Sequence, residues 1–195
     1  MDAILWQILS ALIGAVVVYV FGIRQLSIQR RNAFIEKQLS EFYSPIAGYR
    51  KRIRTKSELR EKIAAVTNEA WQEVCERAPT NSAATNRDDL FAPFIKTIEY
   101  DNEQFRNELM PLYRKMLDVF TEKYWLADPD TRDYYQSFLE FVEVWERNLA
   151  KAIPGEVITK LGHAEKIVHP FYDHLERRIS DLQTEVKDLR FWPRL

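Results

Sequence analysis

Residues 3–23 read AILWQILSALIGAVVVYVFGI, 21 residues without a formal charge. At about 1.5 Å per residue such a run crosses a hydrocarbon core of about 30 Å, so its length and hydropathy predict a membrane-spanning helix. A cleaved signal peptide would start with a basic region and carry a shorter apolar core ending in a small-residue cleavage site. Here only Met1 and Asp2 precede the run, and no such site precedes Arg24. A buried core helix of this length would be expected to keep a charged face. Trp6 near one end, and Tyr19 and Phe21 near the other, sit where amphipathic rings favour the interface. Lys and Arg beside a span are retained on the cytoplasmic side. The N-terminal flank offers Asp2, whereas the other flank carries Arg24, Arg30, Arg31 and Lys37. The expected arrangement is a single pass in the cell inner membrane, with the N-terminus outside and the rest of the chain in the cytoplasm.

Outward from the span, Leu26, Ile28, Ile35, Leu39 and Phe42 recur at helical spacing, which predicts a stalk ending near Tyr43. Ser44-Pro45 reads as an N-cap followed by proline at the first helical position. The helix it opens would point Ile53, Leu59, Ile63, Val66, Ala70 and Val74 inward. The text APTNSAATNRD, 78–88, reads as a loop. A third segment, about 89–126, carries Phe91, Phe94, Ile98, Phe105, Leu109, Leu112, Met116 and Phe120 on one stripe, with Pro111 expected to kink or break it. Asp128-Pro129 repeats the cap-plus-proline start for a segment burying Tyr135, Phe138, Val142, Trp145 and Leu149, which Pro154-Gly155 ends. The last segment places Ile167, Phe171, Leu175, Ile179, Leu182, Val186 and Leu189 at three- and four-residue steps, with Pro170 bending its start. Nothing alternates with period two. The expected fold is all-α: a transmembrane helix over 1–23, a juxtamembrane helical stalk over 24–43, and a cytoplasmic helical bundle of about four to five helices over 44–195.

The chain of 195 residues is 46% apolar and 29% charged, with net charge −1, as expected of one folded domain plus an appendage. The near-neutral total hides an asymmetry. Between Arg24 and Lys62 eleven Lys or Arg face four acids, a balance of +7, which leaves −8 for the rest. The densest part, YRKRIRTKSELREK from Tyr49 to Lys62, makes Arg50, Lys51, Arg52 and Arg54 candidates for a lipid-facing basic patch. Anionic headgroups attract such charges by about 1 kcal/mol each near the surface. Lipid is favoured over nucleic acid as the anion, and a solvated face paired with the acidic remainder is the plain alternative. The one cysteine, Cys75, excludes an intrachain disulfide.

Chemistry is sparse. Five glycines, two of them inside the apolar run, leave no phosphate-cradling loop. Paired zinc-ligand motifs are absent; the best metal candidate, Glu165 with His169 and Asp173 at four-residue steps, reads better as a solvated face. No histidine has an arginine four to seven positions upstream, as helical RNases of the HEPN type require. Glu143 is placed to pair with Arg147. No catalytic residue, cofactor or metal is expected. Within the span, Gln7, Ser10 and Gly14 share one face, and Ser10-x-x-x-Gly14 and Ala11-x-x-x-Ala15 would let helices approach closely, so a homo-oligomer is expected.

The words Gln38-Leu39-Ser40-Glu41-Phe42-Tyr43-Ser44-Pro45 resemble a juxtamembrane pattern in small, uncharacterised single-pass bacterial membrane proteins; the resemblance implies bacterial origin and no activity. In layout alone the chain is also similar to the accessory membrane proteins of some CRISPR systems, which assemble into pores. The function expected from the sequence is that of a membrane-anchored, non-enzymatic, self-associating interaction protein, with a membrane-perturbing oligomer, for example in antiviral defence, as the alternative.

Overall fold

The computed structural model describes residues 2–77, 87–162 and 165–191, and within its helices the side chains of 2–5, 7–11, 13, 87–89, 190 and 191 lie outside the described set. Helix α1 (Asp2–Gln38) passes through a π turn, Leu39–Tyr43, directly into α2 (Ser44–Arg77). At 1.5 Å per residue this uninterrupted rod is roughly 110 Å long. Helix α3 (Arg87–Gln104) passes in the same way through a π turn, Phe105–Leu109, into α4 (Met110–Glu122). After a 3₁₀ turn at Tyr124–Leu126 come α5 (Pro129–Arg132), α6 (Tyr135–Leu149), α7 (Gly155–Leu161), a second 3₁₀ turn at Glu165–Val168, and α8 (His169–Phe191). The described residues contain no strand, and the fold is an all-α bundle, as expected.

Both expected proline breaks are π turns instead. A helical proline at position i drives its ring against the carbonyl of i−4 and supplies no N–H. For Pro45 that carbonyl belongs to Glu41, and for Pro111 to Asn107; each lies inside the π turn that precedes its proline. The Ser44 N–H bonds to Leu39 and the Met110 N–H to Phe105, each five residues back. This wider ring accommodates the pyrrolidine, and the helix runs on. Ser44 is therefore not an N-cap; it has helical φ −68° and ψ −41°. Pro170 likewise bends nothing, because α8 starts at His169 and the proline occupies its first turn.

Four elements enclose the core: the middle of the rod, α4, α6 and α8. The rod contributes Ile35, Phe42, Tyr43, Ile46 and Ile53, all fully buried. Against them pack Met116 and Phe120 of α4, Phe138, Phe141 and Val142 of α6, and Phe171, Leu175 and Leu182 of α8. Phe120 is the hub, with ring centroids 5.3 Å from Phe42, 5.2 Å from Tyr135 and 5.5 Å from Phe171. Because Ile35, Gln38, Phe42 and Tyr43 are buried here, the second half of residues 24–43 belongs to the bundle rather than to a separate stalk.

Beyond the core, α2 and α3 pair as an antiparallel hairpin in constant register. Lys56 bonds Glu108 near its base, and Trp71 meets Phe91 and Phe94 at 4.9 and 5.4 Å near its tip. The face of α2 turned to α3 carries Arg60, Thr67, Trp71 and Val74. Of the residues expected to point inward on α2, Ile53 is buried and Val74 is partly covered, while Leu59, Ile63, Val66 and Ala70 lie on a different face and are exposed. The period was right and the partner was not, since α3 covers only one side of α2. Ile98 of α3 and Ile167, in its 3₁₀ turn, are also exposed rather than buried.

Among the described residues no helix is long and apolar enough to cross a membrane. The stretch 3–23 forms part of α1, but the side chains of 3–5, 7–11 and 13 lie outside the described residues. Gln7 and Ser10 are among them.

Candidate functional site

Where the rod meets α5 and α8, six polar side chains converge. Gln38 ends α1, Tyr43 ends the first π turn, Asp128 and Thr131 frame α5, and His174 and Arg178 lie one turn apart on α8. The Gln38 amide nitrogen donates to the Leu126 carbonyl at 2.7 Å and to Asp128 Oδ1 at 3.2 Å. The Tyr43 hydroxyl donates to Asp128 Oδ2 at 2.9 Å, which Arg178 Nε also bonds. Tyr43 and Thr131 hydroxyls are 2.9 Å apart, and Thr131 Oγ1 lies 2.8 Å from His174 Nε2. An ionised carboxylate only accepts, so the protons have one consistent order. His174 Nε2–H donates to Thr131, Thr131 to Tyr43, and Tyr43 to Asp128.

Burial pushes the Asp128 carboxyl up, but hydrogen bonds from Arg178, Tyr43 and Gln38 outweigh it and hold it below the usual carboxylate range. Burial, helped by the charges of Arg177 and Arg178, holds His174 below the usual imidazole range. Thr131 is fully buried and its proton is committed to Tyr43, so no nucleophile is presented. The chemistry of this arrangement is that of a latch joining α1, α5 and α8. Asp128 starts α5 as expected, with extended φ −64° and ψ 157°, but its side chain makes no cap bond because the latch occupies it.

The basic segment is divided by the helix it sits on. Arg50, Lys51 and Arg54 line an open groove of about 430 Å³ between α2 and α8, closed on the far side by Tyr172, Leu175 and Glu176. The Arg50 guanidinium lies over the Tyr172 ring, 3.9 Å from its centroid. Arg54 pairs with Glu58 at 2.8 Å. Arg52, two residues beyond Arg50, falls on the opposite side of the helix, outside the groove. Beneath the groove, burial pushes the Tyr172 hydroxyl above its usual range against the pull of Arg50, and Tyr113 donates to Glu165 at 3.0 Å. Arg50 follows Ile23 by 27 residues of continuous helix, about 40 Å along the axis.

Glu165 and His169 do not share one helix face: Glu165 belongs to a 3₁₀ turn and accepts from Tyr113, whereas His169 opens α8. Among the described residues no group of three or more His, Cys, Asp or Glu could hold a metal ion. Glu143 and Arg147 pair at 2.7 Å. At Gly14 a Cβ would meet nothing within 4 Å, so this edge of α1 is open. The latch is the constellation that sequence reasoning missed. Its only local signal is Asp128-Pro129, which reads as a cap, and its other members are scattered from Gln38 to Arg178. No family model matches the chain, and no curated protein and no solved structure matches it.

Proposed function

We propose that the chain is a membrane-anchored, non-enzymatic scaffold that holds a helical hairpin away from the bilayer and self-associates there. The observation that carries the reading is the first half of the rod. Val16, Val17, Val18, Tyr19, Val20, Phe21 and Ile23 are all exposed, Val18 to 73% and Tyr19 to 69%. Seven such side chains within eight helical positions point in every direction, so one packed partner helix could not cover them. An apolar medium on all sides could. The uncharged sequence from Ala3 and the basic flank after Ile23 agree with a single-pass helix whose C-terminal bundle faces the cytoplasm.

The rod then passes through the bundle, which is locked to it by the latch and by Arg31, whose guanidinium bonds Glu185 at 2.7 and 3.0 Å. Past the bundle, α2 exposes Leu59, Ile63, Val66 and Ala70 at steps of four, three and four, the spacing of a coiled-coil seam. Copies anchored in one bilayer would present this stripe in parallel, and Gln7, Ser10 and Gly14 would meet within the span. Lipid binding by Arg50, Lys51 and Arg54 is a weaker part of the picture, since roughly 40 Å of upright helix is several Debye lengths at physiological salt.

Alkaline carbonate extraction of membranes from cells making the full chain tests the anchor. Retention in the pellet is expected, with release when Val18→Arg and Val20→Arg are combined. Release of the unaltered chain would sink the proposal. An alkaline phosphatase fusion at the C-terminus tests orientation; it is expected to be inactive, and activity would reverse the topology.

A further inference from the structure

We propose that the bundle binds a neighbouring copy of itself head to tail, the basic groove of one chain taking the acidic outer side of α6 from the next. The inference deepens the self-association proposed above and rests on the anchor, because copies standing in one membrane share a common height.

The height of α6 is set through α4. Lys56 bonds Glu108 and Lys123 bonds Glu41, contacts that lie 15 residues apart on both segments, so α4 runs antiparallel to the rod in fixed register. Counting five and six residues from the first pair brings Tyr113 level with Lys51 and Arg114 level with Arg50. The Tyr113 ring packs against Phe141 at 5.1 Å, and Arg114 bonds Glu146. The Thr121 and Tyr135 hydroxyls, 3.1 Å apart, place the start of α6 nearer the membrane, so α6 rises alongside the rod. Glu140 and Glu143, on either side of Phe141 in sequence, therefore stand level with the stretch from Arg50 to Arg54, about 40 Å along the rod from Ile23.

The two surfaces match in chemistry. Arg50 and Lys51 make no ion pair among the described residues. With Arg54 they set three cations against Glu58 and Glu176 around an apolar floor of Ala47, Leu175 and Tyr172. On α6, Leu139 is 40% exposed, and Glu140 beside it is bonded by the Gln136 amide and by no cation among the described residues. Glu143 shares its charge with Arg147. A leucine flanked by carboxylates complements an apolar floor rimmed by guanidinium and ammonium groups. The groove lies between α2 and α8, whereas α6 faces outward across the core, packed on α4 and, through Phe138 and Phe171, on α8. A twofold axis cannot pair surfaces on different sides of one chain with each other, so the contact is heterologous and rotation about the membrane normal repeats it from copy to copy. Anchoring holds the copies close and in one orientation, so a contact of a few charges suffices where free proteins need a larger buried area.

The test uses the full chain with Cys75→Ser in native membranes and a short bismaleimide cross-linker. Ala47→Cys lines the groove, and Gln136→Cys lies one turn from Glu140 on the exposed side of α6, so all the charges invoked stay in place. Both substitutions in one chain should give a ladder of dimers, trimers and larger species. The two single variants co-expressed should give dimers only, and either alone no cross-link. Lys51→Glu should lower the yield several-fold, and Glu140→Lys in the same chain should restore it. Ile63→Cys independently reports pairing of the α2 stripe, and carbonate extraction reports the anchor. If Ile63→Cys cross-links and the chain stays in the pellet while the 47–136 pair gives no ladder, the head-to-tail contact is overturned and the self-association reading stands. Single variants that cross-link as well as the pair, or a yield indifferent to Lys51→Glu, would also overturn it. If neither the pair nor Ile63→Cys cross-links, or the chain leaves the pellet, the underlying reading fails and the contact falls with it.

Discussion

Removing the carboxylate at the centre of the latch, by Asp128→Ala, should destabilise the bundle by less than a count of its bonds suggests. Asp128 receives bonds from Gln38, Tyr43 and Arg178. All three bonds end on an ionised carboxylate, and at about 1.5–3 kcal/mol each they would sum to roughly 5–9 kcal/mol. Two of the three donors, however, can keep a partner: Gln38 still donates to the Leu126 carbonyl, and the Tyr43 proton can turn to Thr131 once the Thr131–His174 bond reverses with the imidazole tautomer. Arg178 alone loses its carboxylate, and its side chain is 23% exposed, so water partly replaces the lost partner. The expected loss is about 2–3 kcal/mol, and Asp128→Asn, which keeps the acceptor oxygen, should lose about 1–2. Because the folded carboxyl titrates below its unfolded value, its contribution is complete above the unfolded pKa of about 3.9 and is lost as pH falls through the folded value. Urea unfolding in mild detergent, followed by far-UV circular dichroism at neutral and acidic pH, measures both effects. A loss under about 1 kcal/mol at pH 7, or a gap between parent and Asp128→Ala that does not close on acidification, would refute the reasoning.

Phe120→Ala, which empties the hub shared by Phe42, Tyr135 and Phe171, should cost about 3–5 kcal/mol and lower the thermal midpoint by roughly 6–20 °C in a calorimetric scan. Gly162→Ala should cost about 1–2 kcal/mol from its φ of 65° alone, since a Cβ there meets nothing within 4 Å; chemical denaturation reads the value. Ile63→Glu removes an exposed apolar side chain, so stability should change by no more than about 0.5 kcal/mol while the mass by light scattering falls; an unchanged mass removes the α2 stripe from self-association. His174 titrates below its usual value, so its contribution is present above about pH 6.5 and is lost as pH falls through the folded value. His174→Gln should flatten stability between neutral and mildly acidic pH, measured by the same unfolding curves.

Helix content was legible because apolar residues at three- and four-residue steps dominate every segment, and Met116, Phe120, Phe138, Phe171 and Leu175 are indeed buried. What the pattern could not tell is which stripe receives a neighbour. Leu59, Ile63 and Val66 have the same period as Leu109, Leu112 and Met116, yet only the second set meets the rest of the bundle. Proline misled for a related reason. Its local cost argues for a break, and a π turn removes that cost by widening one ring, a choice made by the packing of helices on either side of Pro45 and Pro111. The latch was illegible because its members come from four separate elements, and Asp128 satisfies the cap pattern without acting as a cap.

The clasp between Arg31 and Glu185 joins residues 154 positions apart, so the rod cannot close against α8 until that whole interval has been synthesised. At about 5–20 residues per second that interval is roughly 8–30 s, long beside the microseconds in which helices form. During it the rod's Ile35, Phe42 and Ile46, fully buried at the end, await their cover, and the burden of keeping the nascent chain from aggregating falls on this early-made face.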